Sequence, residues 1–345
     1  MPAEWAPHQG TWLTWPREAG VSFPGRFPQI YEAYRLLTLH LATNESVYIN
    51  VWDKEMEQEA RSILRLDPSL RERVQFFPHP SYESWCRDHG PIFVLNCQTE
   101  IPEKVIIDWD YNAWGNKYPP FDLDNAVPKR IADVRGLKRF QPKMILEGGS
   151  IDVNGQGLLL ATESCLLNPN RNPHLSRQDI KQALSNYLGI TEILWLGDGI
   201  IGDDTDGHVD NITRFVSADT AVTVIEPDPL DENYQPLRDN LKRLHAFNKG
   251  RVNPLRIVEL PMPQPVIQEG IRLPASYANF YIANGLVVVP TFDDPNDAVA
   301  LKTLQMLIPD RQVVGLDSKD LIWGLGSFHC ITQQEPLLER RRDHL

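Results

Sequence analysis

Short apolar runs occur in pairs along the chain, and a turn signal separates the two members of each pair. Asn154-Gly155, Ala218-Asp219 and Asn284-Gly285 each lie between two such runs, a pattern typical of β-hairpins. A looser pair with a longer polar connection spans residues 90–110, "GPIFVLNCQTEIPEKVIIDWD". The pattern therefore predicts four hairpins.

Amphipathic stretches follow most of these hairpins. Residues 176–189, "SRQDIKQALSNYLG", begin with a cap signal at Ser176 and carry apolar residues at the helical period. Residues 234–250 and 294–308 have the same pattern, and each stretch is followed by another short apolar run. The repeating unit is therefore strand, strand, helix, strand.

The spacing of these units predicts a closed ring. Polar residues at the start of successive hairpins lie 53 to 69 residues apart, near Asp88, Glu147, His208, Tyr277 and Cys330. Units of this length that bury their faces only against neighbours are typical of repeat architectures. An ordinary mixed α/β fold with coincidental spacing is the alternative. Because no linker or low-complexity tract divides the chain, we expect a single domain over residues 1–345.

The charge balance limits the possible partners. The chain has 34 basic and 46 acidic residues, so its net charge is -12, which tolerates a cationic ligand and argues against non-specific binding to nucleic acid or an anionic membrane. No apolar run reaches the length of about 18 residues typical of a membrane helix, and the N-terminus lacks the pattern of a signal peptide. We therefore expect a cytoplasmic protein.

Ionisable or reactive residues beside glycine begin the predicted hairpins, in "RDHGP", "EGGS", "TDGHVD" and "GSFHC". In a ring these residues would converge on the axis, where glycine lets the backbone approach a ligand closely. The i, i+2 spacing of His208 and Asp210 predicts that both face one side of a strand. Each residue also has an ordinary structural explanation: His208 and Asp210 solvated on a surface strand, Asp88 in a local ion pair, Glu147 solvated at a strand end, and Cys330 as a small core residue.

Taken together, the candidates are one thiol, one histidine and three carboxylates. A Cys–His pair supplies a nucleophile and a proton carrier. Two carboxylates beside it do not suit acyl transfer, which needs hydrogen-bond donors for an oxyanion, but they can bind a planar cation with both oxygens. The electrophile this favours is a guanidinium carbon. A non-catalytic binding ring and a Cys–His amidotransferase or protease remain alternatives.

Metal and disulfide chemistry is not predicted. The four cysteines include no CxxC pair, HxD alone is not a zinc motif, and "GDDTDG" lacks the glutamate that completes a calcium-binding loop. We therefore expect catalysis without a metal or a cofactor.

Six long motifs in order resemble agmatine deiminases: "MPAEWAPHQGTWLTWP", "WCRDHGPIFV", "EGGSIDVNGQG", "LLATESCLLNPNRNP", "GDDTDGHVDNITRFV" and "FHCITQQEP". These enzymes belong to a guanidino-group-modifying superfamily that also includes arginine deiminases and the Porphyromonas-type peptidylarginine deiminase. The resemblance extends from residue 1 to residue 336. "GLGSFHC" and "CRDHGP" differ from the forms "GGGNIHC" and "MRDTGP" of many agmatine deiminases, which affects pocket shape rather than the catalytic positions.

The resemblance implies a five-bladed α/β propeller (pentein) of ββαβ units with pseudo-fivefold symmetry. It also implies cofactor-free hydrolysis of agmatine to N-carbamoylputrescine and ammonia through a thiouronium on cysteine, as in putrescine biosynthesis, and a possible homodimer. Free arginine or peptidylarginine are the alternative substrates. The implied roles are nucleophile for Cys330, general acid and base for His208, guanidinium binding for Asp88 and Asp210, orientation of His208 or substrate for Glu147, and pocket lining for Trp85, Asp204 and Asp206.

Overall fold

The computed structural model describes residues 1–97 and 102–338 and has a mixed α/β fold. Its strands are β1 (His8–Thr14), β2 (Ser46–Val51), β3 (Val74–Pro78), β4 (Ile92–Asn96), β5 (Glu103–Ile107), β6 (Lys138–Phe140), β7 (Ile151–Val153), β8 (Leu158–Thr162), β9 (Glu192–Leu196), β10 (Thr213–Ser217), β11 (Thr220–Ile225), β12 (Arg256–Pro261), β13 (Ile267–Gln268), β14 (Ile271–Arg272), β15 (Tyr281–Ala283), β16 (Leu286–Thr291), β17 (Gln312–Asp317) and β18 (Gln333–Pro336).

The helices lie between strands that are parallel to each other, or form short turns in the connections. They are α1 (Phe27–Asn44), α2 (Lys54–Leu64), α3 (Pro68–Arg71), α4 (Cys86–His89), α5 (Ala113–Asn116), α6 (Asp122–Asn125), α7 (Val127–Arg135), α8 (Glu163–Leu166), α9 (Arg177–Leu188), α10 (Tyr234–Asn248) and α11 (Pro295–Leu307), with 3₁₀ turns at Gly148–Ser150, Val209–Asn211 and Leu321–Gly324. No helix in the described ranges is long and apolar enough to cross a membrane.

The predicted strand, strand, helix, strand unit is present. In β4-β5-β6, β7-β8-β9, β10-β11-β12 and β15-β16-β17, the first two strands are antiparallel and the third is parallel to the second. The remaining large sheet, β18-β1-β2-β3, joins both ends of the described chain. In it β18 pairs antiparallel with β1, for example Thr11 with Gln334, and β2 is parallel to β1.

Local sequence signals explain these elements. The Ala218-Asp219 and Asn284-Gly285 turns connect their strands directly, as predicted. The connection around Asn154-Gly155 is longer, because Asn154 Oδ1 accepts hydrogen bonds from the backbone N–H groups of Gln156 and Leu158. Ser176 caps α9 through a capping box with Asp179, so the predicted helix start is confirmed.

The apolar core lies between the helices and the neighbouring sheets. Leu237 of α10 and Leu304 of α11 pack in one cluster with strands β8 to β12 and β15 to β16. Ile30 and Leu37 of α1 pack against β2 and β16, and Leu184 of α9 packs against strands from two sheets. Because these side chains are fully buried, truncating one to alanine costs about 2–5 kcal/mol of folding stability.

Five short turns precede the first strands of the sheets, and we call them the site turns: Cys86–His89, Gly148–Ser150, Val209–Asn211, residues 276–279 and residues 327–330. The Gly148–Ser150 turn contacts both the Cys86–His89 turn and the Val209–Asn211 turn. The packed sheets therefore hold the reactive residues predicted from sequence close together, although those residues belong to distant parts of the chain.

Candidate active site

A cleft opens at the site turns, and Cys330 and Asp88 both line it. With its mouth, the cleft encloses about 570 Å³ of space not occupied by atoms. Its other walls are formed largely by aromatic, acidic and small residues, including Glu83, Trp85, Trp114, Tyr118, Asp204, Trp323 and Gly326. A cleft with apolar walls and a few polar groups is typical of a small-molecule site.

The thiol of Cys330 lies directly beside a carboxylate. Its Sγ is 3.8 Å from Asp210 Oδ2, and it is 3.2 Å from the side-chain nitrogen of Asn279, which donates toward it. Burial, together with the charges of Asp210 and Asp88, raises the pKa of the Cys330 thiol well above its ordinary value. In the free protein the sulfur is therefore mostly a thiol, and a cation bound nearby would favour the thiolate.

His208 lies between two carboxylates. Its Nδ1 is 3.8 Å from Asp88 Oδ1, and its Nε2 is 3.9 Å from Glu147 Oε2. Burial alone would lower the pKa of His208, but Asp88, Cys165 and Glu147 outweigh it and raise the pKa well above its ordinary value. The ring is therefore an imidazolium at neutral pH and can donate a proton.

The prediction that His208 and Asp210 lie on a strand is wrong. His208 is the residue before the Val209–Asn211 3₁₀ turn, and Asp210 lies within that turn. The cause is local: Asp203 Oδ2 and the Thr205 hydroxyl accept hydrogen bonds from the His208 N–H, which folds the chain back before β10 begins. Both side chains nevertheless reach the same site.

Glu147 is completely buried against a guanidinium. Arg171 Nε donates to Glu147 Oε1 at 2.7 Å. Burial alone would raise the pKa of Glu147, but Arg171 and His208 reverse this and lower it. The carboxylate is therefore charged beside His208, and the alternative of a solvated carboxylate at a strand end is wrong.

Asp88 has neutral donors instead of a guanidinium. Trp114 Nε1 donates to Asp88 Oδ2 and the Gly149 N–H donates to Oδ1, both at 2.9 Å. Burial, only partly offset by His208, raises the pKa of Asp88 to about 6, and Asp210 and Glu147 contribute. Its neighbour Arg87 instead bonds to Glu4 and Gln334, so a local Arg87–Asp88 ion pair does not explain this residue.

Gly149 is where three of these groups meet. A Cβ on this residue would lie 2.6 Å from His208 Nδ1 and 2.9 Å from Asp88 Oδ1. It would also lie 3.0 Å from Asp210 Oδ2. Only a residue without a side chain lets the imidazole and both carboxylates approach this closely, which explains the glycine expected beside the reactive residues.

Two of the three predicted pocket-lining residues line the cleft, and the third does not. Trp85 and Asp204 line the cleft, and the Tyr118 hydroxyl bonds to Asp204 Oδ2. Asp206 lies beside the cleft and not in its described lining, because Arg171, Asn170 and Lys117 hold its carboxylate. Asp206 therefore braces Arg171, which in turn bonds to Glu147.

Sequence reasoning missed several residues of the site. Asn279 contacts the thiol, Trp114 bonds to Asp88, and Arg171 pairs with Glu147. Asn279 lies in the fourth site turn, so the recurrence of the units could have identified it. Arg171 lies within the "NPNRNP" motif, but its sequence gives no indication of its partner.

One group of described side chains could in principle hold a metal ion. Potential ligand atoms of Glu147, Cys165 and His208 lie within 4.8 Å of one another. Arg171 already pairs with the Glu147 carboxylate and adds a positive charge there, which opposes cation binding. This positive charge therefore disfavours a metal ion at this place.

Comparisons with known proteins identify the family of this chain. Residues 1–336 match the family model described as Porphyromonas-type peptidyl-arginine deiminase. An agmatine deiminase of Ectopseudomonas mendocina is 37% identical, with 97% of this chain and 95% of that protein aligned. The corresponding protein of Pseudomonas syringae is 36% identical over 97% of this chain and 95% of its own length.

Solved structures give the same result. An Enterococcus faecalis agmatine deiminase superposes with a TM-score of 0.89 at 32% identity, covering 97% of this chain and 95% of that one. A Cys→Ser variant of a C. jejuni agmatine deiminase with substrate bound has a TM-score of 0.85 at 31% identity, with the same coverage. The chain therefore belongs to the Porphyromonas-type peptidyl-arginine deiminase family and is related to agmatine deiminases over nearly its whole length.

Proposed function

We propose that this protein hydrolyses the guanidinium group of agmatine to N-carbamoylputrescine and ammonia, through a covalent intermediate on Cys330. The main supporting observation is that the Cys330 thiol lies 3.8 Å from the Asp210 carboxylate, in a cleft that Asp88 also lines. Carboxylates at this distance would repel the oxyanion of acyl transfer, but they attract a flat cation whose carbon the sulfur can attack.

Substrate binding begins with the two aspartates. Asp88 and Asp210 accept hydrogen bonds from the guanidinium N–H groups and hold its plane over the sulfur. The incoming positive charge offsets the effect of these carboxylates on the thiol, so Cys330 loses its proton to water as the cation binds.

The first chemical step forms a carbon–sulfur bond. The thiolate attacks the guanidinium carbon and gives a tetrahedral adduct. The His208 imidazolium donates its proton to the departing nitrogen, and the carbon–nitrogen bond breaks to release ammonia. A positively charged thiouronium remains on Cys330, and His208 is now neutral.

The second step restores the enzyme. Neutral His208 takes a proton from a water molecule as its oxygen attacks the thiouronium carbon. The new adduct expels the sulfur as a thiolate, which takes up the hydroxyl proton as the ureido carbonyl forms. Glu147, held by Arg171, stabilises the imidazolium and fixes the orientation of the ring throughout.

The cleft favours agmatine over arginine. Arginine carries an α-carboxylate that needs a cationic partner, but no lysine or arginine lines the cleft in the described part of the chain. Glu83, Asp204 and Trp85 line it instead, and acidic and aromatic groups suit the distal ammonium of agmatine. Free arginine and peptidylarginine are the competing substrates in the test below.

The test compares agmatine, arginine and a peptidylarginine substrate by ureido product and ammonia release. We expect the wild type to act mainly on agmatine, and Cys330→Ala to form no ureido product above background. Cys97→Ala, at an exposed cysteine, is the matched control and should be fully active. Ureido product from Cys330→Ala at the wild-type rate would refute the nucleophile, and failure of the wild type on all three substrates would favour a non-catalytic binding protein.

We further propose that the five large sheets form the blades of a pentein ring within one catalytic domain of residues 1–345. The shared strand order of four sheets and the pairing of β18 with β1 support this arrangement. If β18 closes the ring, a chain ending at residue 332 should lose cooperative unfolding. We also propose a homodimer in the cytoplasm that has neither nucleic-acid nor membrane partners, with sedimentation as the test of its size.

A further inference from the structure

A buried row of three side chains connects the N-terminal segment to the active site. His329 immediately precedes Cys330, and its Nδ1 lies 2.7 Å from Asp210 Oδ2. On the other side of the ring, Nε2 lies 2.8 Å from Glu4 Oε2. None of the three side chains is more than 4% exposed. The mechanism above uses Asp210 alone and gives no role to His329 or Glu4.

Several hydrogen-bond donors hold the Glu4 carboxylate in place. Its Oε1 accepts hydrogen bonds from Arg214 and from the Ile282 N–H, each at 2.8 Å, and Arg87 lies 3.2 Å from Oε2. Burial by itself would raise the pKa of Glu4, but Arg214, His329 and Arg87 hold it well below its ordinary value. Burial likewise opposes the charge on Asp210, yet His329, His208 and Arg214 lower the pKa of that carboxyl.

The two carboxylate partners of His329 determine which of its ring nitrogens must carry a hydrogen. An ionised carboxylate has no hydrogen to donate, so both of these bonds to His329 require a hydrogen on the ring nitrogen. A ring that bonds to both carboxylates through its two nitrogens must therefore donate from each of them. Its bond to Asp210 engages Oδ2 and leaves Oδ1, which is buried and has no hydrogen-bond partner in the described residues.

We propose that Glu4, His329 and Asp210 form a relay in which His329 is a positioning residue that fixes the Asp210 carboxylate for the substrate cation, while Glu4 positions His329. The inference rests on the proposed function, because it takes a guanidinium as the cation. Its physical basis is that a carboxylate held through Oδ2, the oxygen that lies 3.8 Å from the Cys330 sulfur, cannot rotate away and so keeps Oδ1 in one orientation as an acceptor.

Two substitutions at His329 separate positioning from simple packing. The side-chain nitrogen of asparagine is as many bonds from the backbone as Nδ1, so His329→Asn can still donate to Asp210. The nitrogen of glutamine corresponds to Nε2, so His329→Gln can still donate to Glu4 but not to Asp210. Both variants remove the ring and its charge, and they differ mainly in the bond that they keep.

Binding is measured by calorimetry with agmatine in a Cys330→Ala background, where no turnover occurs. We expect His329→Gln to raise the Kd about 10- to 100-fold, the range for losing a hydrogen bond to a charged group. His329→Asn should raise it less than about fivefold. Equal losses in the two variants, or no loss in either, would mean that the ring only fills space and would overturn the relay.

A second measurement is independent of the substrate and of both His329 variants. Nitrogen NMR of histidine-labelled protein should show His329 with hydrogens on both ring nitrogens at neutral pH. In Glu4→Gln the amide can donate to Nε2, so the ring should keep only the hydrogen on Nδ1. A ring with a single hydrogen in the unsubstituted protein would overturn the relay. If agmatine fails to bind Cys330→Ala, the proposed substrate is wrong. The number of hydrogens on the His329 ring then decides by itself whether the relay exists.

Discussion

Gly149→Ala should inactivate the enzyme without unfolding it. The added methyl carbon would lie 2.6 Å from His208 Nδ1, whereas ordinary contact begins at 3.4 Å, so the imidazole or the backbone must move by about 0.8 Å. The same carbon would lie 2.9 Å from Asp88 Oδ1. Because a misplacement of about 1 Å costs roughly 100-fold in rate, we expect kcat/KM for agmatine to fall about 30- to 100-fold.

The effect on folding should be smaller. Gly149 lies in a 3₁₀ turn and does not adopt the left-handed conformation that favours glycine, so alanine fits its backbone. Crowding of a packed interior costs about 1–3 kcal/mol, which is less than the stability of a typical domain. Denaturant unfolding should therefore still show a folded protein.

The matched control is Gly197→Ala, whose Cβ would lie no closer than 3.4 Å to any neighbour, the nearest being Asn240. It should retain activity within about twofold, because ordinary contacts are not disturbed. If folded Gly149→Ala also keeps kcat/KM within about threefold of the wild type, the groups around Gly149 are not held as tightly as catalysis by this site requires. That result would refute the reasoning.

Four further predictions concern charge in the cleft. Asp88→Asn should lower kcat/KM about 10²- to 10³-fold by removing one partner of a buried ion pair with the substrate, and near-normal kinetics would place the cation elsewhere. Because burial, partly offset by His208, raises the pKa of Asp88 to about 6, kcat/KM should fall about tenfold per unit below that pH. Trp114→Phe removes a hydrogen bond that lowers this pKa, so the acidic limb should move to higher pH, and an unmoved limb would exclude Asp88 as its source. Asp204→Asn should raise the KM for agmatine about tenfold but leave turnover of propylguanidine, which lacks the distal amine, unchanged.

Local signals explain how much of the fold could be predicted. Hairpin turns and the capped helix α9 depend on neighbouring residues, so the strand, strand, helix, strand unit could be recognised in one sequence. The sheet that combines β18 with β1 could not, because Thr11 and Gln334 pair from opposite ends of the chain. Nothing in the local pattern of either strand specifies such a distant partner.

Local sequence signals also allowed part of the site to be predicted. Cys330, His208 and the three carboxylates are reactive types beside glycine, and the structure places them together. Asn279 has a neutral amide instead of a reactive group, so only its place in the fourth site turn could have indicated that it contacts the thiol. The period of two wrongly predicted a strand at His208, because hydrogen bonds to Asp203 and Thr205 override that pattern in the preceding loop.

The three carboxylates around the thiol and imidazole differ in one respect that points to the position of the substrate. Arg171 compensates Glu147, and His329 compensates Asp210 through direct bonds, so the pKa of each carboxyl is lowered despite burial. Among the described residues, Asp88 has only the Trp114 and Gly149 N–H donors at bonding distance, with His208 farther away, and its pKa is raised to about 6. A buried carboxylate without a close cation is destabilised, and a guanidinium that enters the cleft relieves this. In the proposed mechanism, binding therefore gains most at Asp88, while Asp210, already fixed, aligns the carbon with the sulfur.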